Sequence, residues 1–165
     1  MNILLITLIA VSVLVFVYFV RNAIKSYQEY ICRQKIPGST TKGPQLYEAV
    51  PYEGSKLAAN VSVFIQRRVT KEYVFTNNLG FRVEKNDLQQ LAPVDIAFIG
   101  CSWVMGVGVE YKETFVSKVS KALNVNIANL GVGSYSIIQA VRRLEKNIEF
   151  LRPRIIYYGF LKWTY

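Results

Sequence analysis

The stretch VDIAFIGCSWVMGVGVEYKETF, residues 94–115, decides the fold of this 165-residue chain. Its first seven residues are almost entirely apolar, which is typical of a strand buried on both faces of a parallel sheet. The run ends at Gly100, and a glycine-containing loop then leads into a segment with helical spacing. Strand, turn and helix form the repeating unit of α/β proteins. We therefore expect a strand over residues 95–100 and a helix over residues 113–123.

The segments that follow repeat this alternation. VNIANLG, from residue 125, predicts a second strand over residues 125–129, and RIIYYGF predicts a third over residues 154–160. Between them residues 136–151 have the apolar spacing of one continuous helix. Its apolar positions are Ile137, Val141, Leu144, Ile148 and Leu151. Strands that alternate with helices predict right-handed crossovers and a parallel sheet, here half of a doubly wound domain.

Upstream of this unit, residues 61–83 have a β-like pattern, which begins with Val61, Val63 and Ile65 alternating with Ser62, Phe64 and Gln66. Within them TNNLGFR, residues 76–82, predicts a turn between two short strands. PGSTTKGP, residues 37–44, concentrates residues that interrupt helices and strands, which predicts a linker. The chain therefore divides into a transmembrane anchor, a juxtamembrane helix with a linker, and an α/β domain: residues 1–20, 21–58 and 59–165.

The segment from Ile3 to Val20 carries no charge. As a helix it would reach about 27 Å, close to the ~30 Å hydrocarbon core of a bilayer. A cleaved signal peptide is the alternative, but no basic residue precedes the run and no A-x-A pattern follows it. The sequence therefore predicts a retained single-pass helix with the lipid bilayer as its partner.

Basic residues follow this anchor directly. Arg21, Lys25, Arg33 and Lys35 outnumber the single acid of this flank, Glu29. The positive-inside rule places such a flank, and the domain behind it, in the cytoplasm. The same charges suit anionic lipid headgroups.

Composition excludes several classes of function. The formal net charge of +9 is scattered over the chain without a basic run interleaved with aromatic residues, which argues against nucleic-acid binding. Two cysteines, Cys32 and Cys101, lie far apart, so no structural disulfide is expected. GVGVEY and GVGSYS lack the third glycine of a dinucleotide-binding turn, and no cluster of metal ligands occurs. We expect no cofactor and no metal.

In open parallel sheets, reactive groups gather beyond the carboxyl ends of the strands. At this edge the sequence has Ser102 after the first strand and a glycine-containing loop, residues 129–134, after the second. A serine nucleophile needs a general base and N–H donors for the oxyanion. Ser102, Gly133 and Ser134 would supply backbone N–H groups, whereas the chain has no histidine to act as the base.

Two other interpretations of this loop stay open. In the first, Ser102 caps the following helix and the glycines only permit tight turns. In the second, Cys101 is the nucleophile. A reactive thiolate needs a nearby cation or a helix N-terminus to lower its pKa, and without an imidazole a small inert thiol is the simpler interpretation.

Together these segments resemble the SGNH (GDSL-type) hydrolases. Residues 94–115 are similar to the first block of that family, in which a strand runs into Gly-Asp-Ser and a glycine-containing loop. VNIANLGVGSYSIIQAVRRL, residues 125–144, is similar to the second block, an Asn-x-Gly stretch whose loop N–H joins the oxyanion hole. TNNLGFR resembles a segment found upstream of the catalytic domain in membrane-linked members. The similarity covers roughly residues 72–162.

The resemblance implies a three-layer, flavodoxin-like α/β fold with a parallel sheet. It implies ester hydrolysis or O-acyl transfer through an acyl-serine on Ser102, with N–H donors from Ser102 and from Gly133 or Ser134. It also implies a set of residues that shape the two loops: Gly100, Cys101, Gly106, Asn129 and Gly131. The expected substrate is an ester, such as an acylated glycan or lipid.

The chain departs from the family at three points. Cys101 stands where the family has Asp, and the third-block Asn would fall near Lys162 or Trp163, neither of which carries an amide. The family's Asp-x-x-His would lie beyond Tyr165, so we expect a domain that is incomplete at its C-terminus. Since no complete Ser-His-Asp triad can form, the chain as given is expected to be inactive.

Two rival functions follow from these departures. One is a non-catalytic, membrane-tethered binding or scaffolding protein with an SGNH-like fold, completed by a partner protein at the sheet edge formed by residues 154–160. The other is a flavodoxin-like binding module, which the missing phosphate motifs disfavour. The resemblance and the flanking charges predict different sides of the membrane. The charges favour the cytoplasm, whereas many anchored members of the family that the chain resembles work outside it.

Overall fold

The computed structural model describes residues 3–33, 39–51, 53–87 and 89–160. Side chains are described from residue 11 to residue 26 and from residue 40 onward within these ranges. The described residues form a long helix, an antiparallel β region and a parallel α/β region. The mixed α/β class and the parallel sheet predicted from the sequence are therefore present.

Helix α1 (Ile3–Arg33) covers the predicted anchor and continues through most of the predicted juxtamembrane helix. The large apolar side chains between Val11 and Val20 are exposed on the isolated chain. Within the described part of the chain, no helix combines the length and the apolar character that a membrane crossing requires. The first ten side chains lie outside the described residues, and the anchor stays a prediction.

The antiparallel region contains a four-stranded sheet in the order β1-β4-β5-β6 and a separate hairpin of β2 and β3. The sheet strands are β1 (Ser39–Lys42), β4 (Ser62–Arg67), β5 (Lys71–Thr76) and β6 (Arg82–Val83). The hairpin strands are β2 (Tyr47–Val50) and β3 (Gly54–Leu57). The β structure predicted for residues 61–83, with its turn at 76–82, is confirmed.

The segment predicted as a linker is not one over the described residues. Residues 39–42 pair with β4 as strand β1, and residues 47–57 form the hairpin. Leu57 is fully buried in the main hydrophobic core, so the hairpin belongs to the folded unit although the predicted domain begins at residue 59. Short strands of this kind are stabilised by cross-strand pairing and burial, which local breaker residues do not reveal.

The parallel sheet has the order β8-β7-β9, with β7 (Ile96–Gly100) between β8 (Ile127–Asn129) and β9 (Ile155–Gly159). Both pairings are parallel, which confirms the sequence prediction. All five residues of β7 are buried, as its apolar run indicates. The helices that follow these strands are α2 (Ser102–Met105), α3 (Phe115–Leu123), α4 (Ile137–Glu145) and α5 (Ile148–Leu151).

The single helix predicted for residues 136–151 is wrong, because the helix is interrupted at Lys146 and Asn147. The Asn147 side chain donates a hydrogen bond to the Arg143 carbonyl (2.7 Å), and its backbone N–H donates to the Leu144 carbonyl (2.9 Å). These bonds replace the regular helical pattern at that point, since Asn side chains compete with the helix for backbone groups. The chain then starts again as α5.

The buried face of α4 also differs from the predicted one. Ala140, Arg143 and Leu144 are buried, whereas Ile137 and Val141 are exposed. On the edge strand β9, Ile155 and Ile156 are also open to solvent. The described structure therefore carries apolar side chains on a helix and a sheet edge that no other element covers.

Candidate serine site at the carboxyl edge of the parallel sheet

Ser102 is the first residue of α2, directly after strand β7. The turn depends on Gly100, whose φ is +151°; a Cβ there would lie 2.5 Å from the Gly159 carbonyl oxygen. A side chain would therefore separate β7 from β9. Gly106 ends α2 in the left-handed conformation at φ +82°. The strand–turn–helix arrangement predicted around Ser102 is thus present, with α2 shorter than a typical helix.

The loop after β8 lies directly against α2. The Asn129 side chain donates to the Val104 carbonyl (3.0 Å) and accepts from the Gly131 N–H (3.0 Å). A Cβ on Gly131 would lie 2.3 Å from the Met105 backbone nitrogen, so only glycine allows this approach. The structure therefore brings the two predicted loops into contact, with Asn129 bridging them.

The N–H donors predicted for an oxyanion lie at the end of this second loop. Ser134 has a φ of +64°, which turns the backbone sharply after Gly133. Among the described residues, neither N–H donates to a backbone carbonyl. Unpaired N–H groups of this kind are what oxyanion stabilisation requires. The Ser102 side chain lies at the same edge of the sheet and is half-buried.

The capping interpretation of Ser102 is wrong. The residue at the N-cap position is Cys101, and no side chain there accepts a capping hydrogen bond. Ser102 itself occupies the first helical position, where a hydroxyl does not act as the N-cap. Cys101 is a free cysteine with intermediate exposure, and its thiol has no described role in the helix start.

Arg82, the last residue of TNNLGFR, holds the loop that follows α2. Its side chain is fully buried, and its guanidinium donates to the carbonyls of Met105 (3.0 Å), Gly106 and Val109 (2.6 Å). Glu72, also fully buried, pairs with it at 3.4 Å. An arginine fork suits several fixed acceptors at once, so Arg82 fixes the course of residues 105–109.

Burial lowers the pKa of Arg82 to about 10, while the nearby Glu110 and Tyr111 act in the opposite direction. The guanidinium therefore stays charged at neutral pH and keeps all of its donors. The sequence offered only one signal for this residue, its place in a segment that resembles one of membrane-linked SGNH proteins. Neither charge nor spacing indicates that it is buried.

Tyr47 of the hairpin is a second residue that the sequence did not indicate. A Cβ on Gly133 would lie 2.8 Å from the Tyr47 hydroxyl oxygen, and that hydroxyl donates to the Met105 sulfur at 3.8 Å. Burial raises the pKa of Tyr47, and Arg67 and Arg82 oppose the shift. At neutral pH the residue is therefore an uncharged phenol that packs between α2 and the second loop.

Several sequence predictions lie outside what the structure describes. The positions expected for the third block, Lys162 and Trp163, are beyond the described residues, which end at Phe160.

Among the described residues, no group of three or more His, Cys, Asp or Glu side chains is placed to hold a metal ion. The chain contains no histidine, so the site as built from this chain has N–H donors and a hydroxyl but no imidazole.

Comparison with known proteins assigns neither a family nor an activity to this site. No protein-family model matches the chain, and no curated protein matches it.

Proposed function

We propose that this chain is a membrane-anchored, SGNH-like three-layer domain with an acyl-serine site at Ser102, and that the chain itself does not turn over esters. The substrate class is an ester, such as an acylated glycan or lipid. The observation that carries the proposal is the contact between the two loops, with the Asn129 amide joined to both the Val104 carbonyl and the Gly131 N–H. It supports a built oxyanion pocket beside a serine that begins a helix.

The groups that this chain lacks determine the activity that we expect. A hydroxyl nucleophile must lose its proton to a base, and general-base help contributes ~10²–10⁴ in rate. The chain has no histidine to supply it. A missing oxyanion donor, here the third-block amide, costs a further ~10²–10³. Backbone N–H groups alone can bind an oxyanion but cannot activate Ser102.

The purified chain is therefore expected to hydrolyse p-nitrophenyl acetate no faster than its Ser102→Ala variant. The matched control is Ser136→Ala, which removes a hydroxyl from the same edge of the fold without touching Ser102. A fluorophosphonate probe should label neither the unmutated chain nor the variants. Turnover well above background that Ser102→Ala abolishes and Ser136→Ala preserves would show a base within this chain and contradict the proposal.

The anchor is tested separately. The apolar side chains exposed along α1 and the basic flank at Arg21 and Lys25 support insertion of residues 3–20 into a bilayer. The full-length chain is expected to stay in the membrane fraction after extraction with alkaline carbonate. A Val13→Lys, Phe16→Lys double variant is expected to lose that association, because charges at the centre of a span are costly. Release of the unmutated chain by carbonate would count against the anchor.

A second candidate function has its own observation. Ile155, Ile156 and Tyr157 of β9 are all about half exposed, at 58%, 46% and 49%. Exposed edge strands offer unpaired backbone groups, and contiguous apolar patches mark interaction sites. This supports a non-catalytic binding or scaffolding protein whose sheet is completed by a partner protein at β9. Both candidates expect no labelling of Ser102 by the fluorophosphonate probe, so labelling would contradict this alternative as well as the absence of turnover proposed above.

A further inference from the structure

A cleft of about 580 Å³ opens between the antiparallel sheet and the segment from Glu110 to Lys112, and Ser102 is not among its lining residues. One wall is the solvent face of β5 with Tyr73 and Phe75. The other walls are the segment after β6, with Glu84 and Lys85, and the segment from Glu110 to Lys112. The volume falls within the ~300–1,000 Å³ that is usual for ligand sites.

The aromatic rings of this wall continue a row that begins at Phe64 on the neighbouring strand β4, outside the cleft. The Phe64 and Tyr73 ring centroids are 4.9 Å apart, and Tyr73 and Phe75 are 6.0 Å apart with ring planes only 15° from parallel. Tyr73 lies in the middle of β5, and the residue is 47% exposed. Such a row stabilises the sheet by cross-strand pairing, yet its exposed part leaves an apolar surface without a partner.

Hydrogen bonds from Arg82 and to Glu110 join the two walls. Arg82 donates to the Tyr73 carbonyl (3.4 Å) on one wall and to the Val109 carbonyl (2.6 Å) at the start of the other. Glu110 accepts the Tyr73 N–H through one carboxylate oxygen (2.9 Å). Because Arg82 is fully buried, the cleft is preorganised, which lowers the entropy that a ligand must lose on binding.

The charges that line the cleft cancel. Glu84 and Glu110 are balanced by Lys85 and Lys112. A phosphate or a cationic ligand would meet as many like charges as opposite ones, which removes the electrostatic gain from binding it. A neutral ligand with both hydrogen-bond donors and acceptors fits this lining better, since carboxylates only accept and ammonium groups only donate.

Two neutral ligand classes use aromatic rows, proline-rich peptides and sugars. A proline-rich segment has few N–H groups, so it offers few donors to the carboxylate oxygen of Glu110 that does not accept the Tyr73 N–H, and few to Glu84. A sugar ring has an apolar C–H face that can lie on Tyr73 and Phe75, and hydroxyls that both donate and accept. The sugar therefore satisfies the aromatic row and both kinds of charged group together.

We propose that this cleft binds a neutral oligosaccharide, with one ring on Tyr73 and Phe75 and with hydroxyls paired to Glu84, Glu110 and the adjacent lysines. Ser102 does not line this cleft, and the proposal does not depend on the chemistry of that residue. In a membrane-anchored chain, sugar binding in this cleft would hold the domain against a glycan surface.

The test titrates the full-length chain with maltohexaose, cellohexaose, xylohexaose and chitohexaose by isothermal calorimetry. The protein is kept in a sugar-free zwitterionic detergent, because a glycosidic detergent would compete. At least one hexasaccharide is expected to bind. Tyr73→Ala should weaken that binding about tenfold or more, as expected for loss of a stacked ring at the centre of a site.

The matched control is Tyr157→Ala, which removes the same side chain at almost the same exposure, 49%, from the other sheet. It should leave sugar affinity unchanged, and so should Ser102→Ala. Glu84→Gln, which keeps the shape of the side chain, should weaken binding and guards against misfolding of Tyr73→Ala. Binding of none of the four sugars, equal affinity in Tyr73→Ala, or saturable binding of a proline-rich decapeptide or inorganic phosphate instead would each overturn the proposal.

Discussion

Arg82→Met is expected to lower the free energy of unfolding by about 3–5 kcal/mol, the usual cost of removing one partner from a buried ion pair. The substitution keeps the apolar stem but removes the donors that satisfy the carbonyls of Met105, Gly106 and Val109. It also leaves Glu72, which is fully buried, with only Arg67 as a cationic partner. Urea unfolding followed by near-ultraviolet circular dichroism measures the loss.

Arg154→Met is the matched control for this substitution. Arg154 pairs with Asp95 at 3.4 Å, but its side chain is 82% exposed. Exposed pairs contribute little, so the control should change the free energy of unfolding by less than about 1 kcal/mol. Similar losses in the two variants would mean that Arg82 does not hold the loop after α2.

Gly131→Ala is expected to destabilise the protein by about 3 kcal/mol, at the upper end of what overpacking costs. The new Cβ would lie 2.3 Å from the Met105 nitrogen and 2.7 Å from the Val104 carbonyl carbon. Both are backbone atoms of α2, so neither can rotate away. The same unfolding measurement applies, with hydrogen exchange in residues 129–134 reporting whether the loop has moved off α2.

Gly133→Ala provides the comparison within the same loop. Its Cβ would lie 2.8 Å from the Tyr47 hydroxyl oxygen, the far end of a side chain that can shift. We expect a loss below about 1.5 kcal/mol, smaller than that of a rigid clash. If Gly133→Ala costs as much as Gly131→Ala, the close contact of the second loop with α2 is not the feature that requires glycine.

Local pattern predicted the parallel sheet well because its strands are short and apolar and alternate with helical segments. The β7 run is buried along its whole length, which is the property that its composition encodes. The same local reasoning failed for residues 39–57, whose strands have mixed composition and are held by partners elsewhere in the chain. It also failed at Asn147, where one side-chain hydrogen bond ends a helix that apolar spacing alone would continue.

The candidate site likewise contains residues that the sequence predicted and residues that it did not. Ser102, Asn129 and Gly131 could be predicted, since each lies at the end of a strand or just past it, and parallel strands bring those ends to one edge. Tyr47 and Arg82 could not, because they come from the antiparallel region and reach the loops only through the folded structure. Nothing in their sequence neighbourhood distinguishes a buried, hydrogen-bonded arginine or tyrosine from an exposed one.

The sequence by itself therefore determined the alternation of strands and helices after residue 94, the parallel pairing of β7, β8 and β9, and the position of Ser102 at a turn. These properties follow from short-range periodicity and from the handedness of the crossovers. Only the tertiary structure decided which face of α4 is buried and that Arg82 joins the antiparallel sheet to the serine loop. The physical reason is that burial of a charged or apolar side chain depends on partners distant in sequence, whose positions exist only once the chain has folded.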